Sequence, residues 1–214
     1  MALPHSPVYD GKVSHKALIF DLGKVLIPFD FQRGYRALEE CCPHPAVEIR
    51  RRIGASRLVL PFETGLIEPR DFVARLTEAL DLTIDYAGFC RAWSSIFYGQ
   101  LIPDRVLASL AARYRMVLLS NTNAIHFEMV REAYPLVQYF HELVLSYEVC
   151  SMKPDARIYH VAIERAGCRP EECFYTDDII ENVEAGLREG LDSVLFETPE
   201  QLEREMSKRG IAWE

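Results

Sequence analysis

Ala17-Leu18-Ile19-Phe20-Asp21-Leu22-Gly23 is the stretch on which the reading of the fold turns. Four apolar residues end on an acid and a glycine, the pattern of a short strand buried on both faces that delivers a carboxylate into a turn. The arrangement recurs twice. Met116-Val117-Leu118-Leu119 runs into Ser120-Asn121-Thr122-Asn123, and Cys173-Phe174-Tyr175 runs into Thr176-Asp177-Asp178. Apolar strands with polar ends, separated by helical patterns, predict an α/β fold: a Rossmann-like, mostly parallel sheet flanked by helices.

Working outward, the spacing predicts helices over 104–114, over 156–166 with Gly167 as C-cap, and over 180–188 with Gly190 beyond its end. Ser193 to Phe196 reads as a further strand and 199–209 as a polar terminal helix. Residues 30–102 have a different character. Helical patterns occupy 35–40, 47–53, 71–80 and 86–97, no strand is convincing, and Cys42-Pro43-His44-Pro45 and Glu68-Pro69 punctuate them. The expected organisation is an N-terminal extension (1–16), a core built from 17–29 and 103–214, and an all-helical insert (30–102) packed over the sheet as a cap.

Composition narrows the function. A chain of 214 residues suits one α/β domain with a modest insert, and its 49% hydrophobic and 26% charged residues are ordinary for a globular protein. No apolar run is long enough to span a membrane. A net charge of −8 speaks against a nucleic-acid surface, which needs clustered Lys and Arg. The six cysteines lack zinc-site spacing and disulfide density, so free thiols are expected. Met1 to Lys16 carries Pro4, His5, Pro7, Tyr9 and Asp10 where a signal peptide needs an apolar stretch, which makes a cytoplasmic location the expectation.

In open α/β sheets ligands bind at the carboxyl ends of the strands, so the three polar strand ends are expected to share one crevice. Asp21 there is a candidate nucleophile toward phosphorus. Because a phosphate dianion repels it, compensating positive charge is required, and a carboxylate cluster with phosphate oxygens suits magnesium. Asp178 is the first candidate partner ligand, the Gly23 carbonyl can complete the set, and Asp177 either ligates the metal or orients a neighbouring lysine. Ser120 and Asn121 precede a helix start near Ala124 and can cradle phosphate oxygens. Lys153, before Pro154, offers a point charge for the same phosphate.

Taken together, FDLGKVL at Asp21, LLSNT at Ser120, MKPD at Lys153 and YTDDIIEN at Asp177 resemble the four ordered motifs of the haloacid dehalogenase superfamily. The insert between the first two resembles that superfamily's C1 cap. The DLGxV opening with a DDxxxN fourth motif is similar to bacterial sugar-phosphate phosphatases of the α-glucose-1-phosphatase kind and to the phosphatase domain of soluble epoxide hydrolase. The resemblance implies a magnesium-dependent phosphatase acting on a small phosphate ester, with Asp21 as nucleophile, Ser120 and Asn121 binding phosphate, Lys153 neutralising it and Asp178 binding magnesium beside Asp177. One position departs. The superfamily's usual acid/base aspartate, two residues after the nucleophile, is Gly23, so leaving-group protonation has no assigned residue and slow turnover is expected.

Two alternatives stand beside this reading: a metal-independent 2-haloacid dehalogenase, against which the paired acids speak, and a non-catalytic protein that binds phosphate esters. His15, His44, His126, His141 and His160 share no metal-binding spacing and are expected in surface or packing roles. Trp93, Phe97 and Tyr98 are expected to be core rather than pocket wall, and Arg50-Arg51-Arg52 a solvated face. Phe62, Glu63 and Gly65 are expected in a loop between insert helices that covers the pocket.

Overall fold

The computed structural model describes residues 14–213; most of the N-terminal extension, with the stretch on which the leader argument rests, lies outside the described residues. Strand β1 is Ala17–Phe20. It is followed by helices α1 (Phe31–Glu39), α2 (Ala46–Ser56), α3 (Val59–Glu63), α4 (Pro69–Leu80), α5 (Tyr86–Ser94) and α6 (Asp104–Ala111). Then come β2 (Arg115–Ser120), α7 (Ala124–Ala133), β3 (Glu142–Leu145), α8 (Ser146–Val149), α9 (Ala156–Ala166), β4 (Cys173–Asp177), α10 (Ile180–Arg188), β5 (Asp192–Leu195) and α11 (Pro199–Lys208).

The five strands form one parallel sheet in the order β3-β2-β1-β4-β5. The chain builds outward from β1 in one direction, then returns to its other side, so the switch point of the sheet falls beside the residue that follows β1. Both faces are covered. Leu18, Phe20, Met116, Leu118 and Phe174 pack with α6 and α11 on one side, while Ile19, Val117, Leu119, Val144 and Tyr175 pack with α9 and α10 on the other. This two-sided burial is why the strands read as continuous apolar runs rather than alternating ones.

The insert leaves and rejoins the core through a narrow neck. Phe29 bridges Phe97 in antiparallel fashion, Asp30 N–H donates to the Ile96 carbonyl, and Leu101 N–H donates to the Leu26 carbonyl. Beyond it, α1–α5 enclose their own apolar cluster, in which Phe62 stacks on Phe72 at 4.0 Å and Phe89 stacks on Trp93 at 5.7 Å. The cluster reaches the core through Ile125 of α7.

Several expected boundaries shift for identifiable reasons. Helix α1 begins at Phe31 rather than Tyr35 because Asp30 accepts from Gln32 N–H and caps it. Helix α5 stops at Ser94 rather than Phe97, since Phe97 is drawn into the neck. Helix α6 ends at Ala111, and just past it the amides of Arg113 and Tyr114 both donate to the Leu110 carbonyl. Phe62 and Glu63 lie in the short helix α3, not in a loop. Strand β3 escaped the sequence reading altogether. It is an edge strand with only two of its four residues buried, which leaves no apolar run to detect.

Phe72 is fully buried at the centre of the insert, so Phe72→Ala should cost about 3–5 kcal/mol. Urea unfolding followed by circular dichroism measures it; a loss below about 1 kcal/mol would show that the insert does not depend on this cluster.

Candidate active site

Asp21 follows β1 directly, and its N–H donates to the Thr176 carbonyl of β4 at 3.0 Å, so the residue is held as one more rung of the sheet. Its side chain meets Lys153. The ammonium donates to Asp21 Oδ1 at 2.6 Å, to Asp177 Oδ2 at 2.6 Å and to the Leu119 carbonyl at 3.0 Å. Three contacts use all three of its protons. Burial disfavours the charge, but the two carboxylates outweigh it and hold the lysine above its ordinary range.

Asp177 is fully buried and engaged on both oxygens. Oδ2 also accepts from the Tyr175 hydroxyl at 2.6 Å, and Oδ1 accepts from Ile179 N–H at 2.9 Å and Asn182 Nδ2 at 3.0 Å. Burial opposes its ionisation, yet Lys153 and Tyr175 keep its pKa below the usual carboxylate value. Asp178 is different. It is partly exposed, and Lys24 Nζ stands 4.0 Å away. Burial and the neighbouring Asp177 raise its pKa.

Burial, opposed by Lys153 and reinforced by Asp177, pushes Asp21 up to about 7. The rise is that of a carboxylate held out of water beside a second one. Oxygens of Asp21, Asp177 and Asp178 all lie within 4.8 Å of one another. An all-oxygen set suits a hard divalent cation, and the carboxylates not engaged on both oxygens are Asp21, on its second oxygen, and Asp178, which meets Lys24 at 4.0 Å.

The loop after β2 is braced from two sides. Asn121 clasps the Lys153 backbone, accepting from its N–H at 2.8 Å and donating to its carbonyl at 2.9 Å. Ser146 of α8 accepts from Thr122 N–H and donates to the Thr122 carbonyl, both at 2.9 Å. The Asn121 amide was expected to face phosphate; here it positions Lys153, which leaves Asn121 to offer its backbone alone. Asn123 caps α7 by accepting from His126 N–H, directing the helix N-terminus at the crevice.

Gly23 carries less freedom than its type suggests. A Cβ there would stand 2.7 Å from Phe29 Cε1, so the space of a side chain is already taken by an aromatic ring. Gly23, Phe29, Phe97, Ser120, Asn121, Glu63 and His126 line a cavity of about 60 Å³. A second cavity, of about 120 Å³, adjoins it within the insert and shares Phe31, Glu63, Ile96 and His126.

The remaining candidates sort cleanly. His15, His44 and His160 pair with Asp192, Asp81 and Glu189, and His141 accepts from Met116 N–H. Arg51 and Arg52 are held by Glu48 on the insert surface. Trp93 is core that also lines the inner cavity, Phe97 reaches the outer one, and Tyr98 is exposed beneath Arg33. Sequence reasoning missed Tyr175 and Ser146, which hold charge and loop in place; neither sits in a pattern that distinguishes it from core. His126 was expected to pack, and it stacks on Trp93 at 5.5 Å, but it also walls both cavities.

Two outcomes follow from this geometry. Gly23→Asp should destabilise by about 1–3 kcal/mol, because Phe29 must be displaced; thermal unfolding measures it, and an unchanged midpoint would show the ring to be freely movable. Burial lowers His126 from 6.5 to about 3. Between those values the unfolded chain binds the extra proton, so the stability carried by the neutral ring is present above about pH 6.5 and is lost as pH falls toward 3. His126→Phe should therefore flatten the decline in stability over that window, read by urea unfolding at several pH values.

Comparison with known proteins agrees with this arrangement. The family model of haloacid dehalogenase-like hydrolases matches residues 15–190. A phosphatase of Mycobacterium tuberculosis is 26% identical, covering 92% of this chain and 96% of its own. The D-ribitol-5-phosphate phosphatase of Bacteroides thetaiotaomicron is 24% identical, over 83% of this chain and 90% of its own. Among solved structures, a HAD family enzyme of Bacteroides thetaiotaomicron in complex with magnesium and inorganic phosphate superposes with a TM-score of 0.76 at 29% identity, covering 87% of this chain and 96% of that one. The L-2-haloacid dehalogenase of Xanthobacter autotrophicus, at 21% identity and a TM-score of 0.58, shares the fold. With three strand-end motifs gathered around the buried lysine of a fourth and a family match over most of its length, the chain belongs to the haloacid dehalogenase-like hydrolases.

Proposed function

We propose that the protein is a magnesium-dependent phosphatase that hydrolyses a small phosphorylated metabolite, of the sugar- or polyol-phosphate class, through an aspartyl-phosphate on Asp21. The observation that carries the reading is the buried Lys153 ammonium tied to Asp21 and Asp177, with the partly exposed Asp178 carboxylate beside them. A dehalogenase attacking carbon has no need of a third carboxylate, whereas a phosphoryl site needs both a cation on the chain and ligands for a second.

In this reading Asp21 attacks phosphorus with the oxygen that Lys153 does not hold. Ser120 and the backbone amides of the braced loop receive the phosphoryl oxygens at the N-terminus of α7, and Lys153 neutralises them. Asp21, Asp178 and the Gly23 carbonyl would hold the magnesium, with Asp177 behind Lys153 as its orienting partner. When bound, the ion offsets negative charge on the phosphoryl oxygens and the attacking carboxylate. The 30–102 insert serves as a cap whose inner cavity limits the substrate to a small one. No helix among the described residues is long and apolar enough to cross a membrane.

Phosphate release from a panel of sugar and polyol phosphates and an aryl phosphate tests the reading. Release should require magnesium, stop with EDTA, and fall on the order of a thousand-fold or more in Asp21→Asn. Magnesium-independent chloride release from a 2-haloacid would support the dehalogenase instead. Ester binding with no release would support the binding protein that the occupied space at Gly23 allows.

A further inference from the structure

We propose that Glu63, reaching from the insert into the outer cavity, is the general acid and base of the reaction and performs the proton transfer for which Gly23 has no side chain. The inference rests on the phosphatase reading above and extends it to the residue that the core lacks.

Glu63 shares the outer cavity with Gly23, Ser120 and Asn121, and it also walls the inner cavity, so it stands where the phosphoryl site meets the space for the rest of the substrate. Among the described residues its carboxyl has no hydrogen-bond or ion-pair partner. A partly buried carboxyl held away from any partner is expensive, and such a group beside a reactive centre is a functional signal. Burial alone pushes it up to about 7, which leaves it able to give a proton and to take one back near neutrality.

Its position is built, not incidental. Phe62, the preceding residue, is locked in the insert core against Phe72. Two residues later Gly65 adopts φ +70° and passes so close to α8 that a Cβ would stand 2.0 Å from the Tyr147 carbonyl oxygen. Only glycine fits, and the contact ties this turn of the insert to the catalytic core. Glu63 is thereby pinned between an anchor in each layer.

The nearby nitrogen groups are unsuited to the task. Lys153, at the adjoining carboxylate cluster, has all its protons committed, the Asn121 amide is held by the Lys153 backbone, and His126 is kept neutral by burial, so it has no spare proton to give. The ring of Phe29 fills the place of an acid at position 23.

The steps balance as follows. As Asp21 forms its bond to phosphorus, the bond from phosphorus to the ester oxygen breaks, and that oxygen takes the proton of the Glu63 carboxyl; the alcohol departs and Glu63 is left as carboxylate. Water then bonds to phosphorus while giving a proton to Glu63, the Asp21–phosphorus bond breaks, and inorganic phosphate leaves with both groups restored.

The test compares Glu63→Gln with the wild-type chain in single-turnover release of the leaving group from two esters. One is the best alkyl phosphate of the panel, whose alkoxide needs a proton to depart; the other is 2,4-dinitrophenyl phosphate, whose phenolate does not. Release from the alkyl ester should fall about 100-fold or more, while the dinitrophenyl burst should stay within about threefold and be followed by accumulation of phosphorylated enzyme. The burst also reports that the variant is folded, and Glu63→Ala should give the same contrast. Equal losses on both esters, or a raised KM with unchanged kcat on the alkyl ester, would overturn the inference and leave the phosphatase reading intact. Wild-type turnover of the dinitrophenyl ester alone would do the same. Release from neither ester would overturn both.

Discussion

A lysine ammonium buried between two carboxylates is the constraint around which the molecule is arranged. Charge removed from water costs several kcal/mol unless partners compensate it closely, and breaking one side of such a group typically costs about 3–5 kcal/mol. Lys153 meets the condition by drawing on four places in the sequence: Asp21 after β1, Leu119 in β2, Asp177 at the end of β4, and Asn121, which fixes its backbone. Each partner needs its own support, and Tyr175, Asn182 and the Ile179 amide supply it for Asp177. The sheet order that puts β1 between β2 and β4 is what makes these meetings possible. Fold and charge network are therefore one requirement.

The two acids of the Asp177-Asp178 pair illustrate how environment divides identical chemistry. One is sealed and saturated with donors, so its charge is spent on holding the lysine. The next residue along is partly exposed and meets the Lys24 ammonium at 4.0 Å. Neighbouring carboxylates pushed apart in this way usually have different tasks, and here the division is set by a single step along the chain at a strand end.

Much of this was legible in the sequence because the strands are buried on both faces and announce themselves as apolar runs. Asp21, Ser120, Lys153 and Asp177 stand at the ends of such runs or beside a helix start, where topology alone brings them together. The illegible parts are those that depend on distance in space. That the Asn121 side chain clasps the Lys153 backbone cannot be told from the sequence, and Gly23 reads as an empty position until Phe29 is found filling it. Edge strand β3 hides because half of it faces outward. Glu63 is legible only by position, as part of a segment expected to cover the pocket; its chemistry gives no sign, since a lone glutamate looks like any solvated acid until its place in the cavity wall is known.

The hydrogen bond from Asp21 N–H to Thr176 has a consequence for the timing of the entropy cost. Bringing a nucleophile to a reacting atom in the correct orientation forfeits freedom, and a flexible residue would lose it afresh with each substrate. Here the loss is taken once, at folding, when the central strand closes its ladder one residue past its end. If Asp21 is the nucleophile, as proposed, every later encounter finds its backbone already stationary.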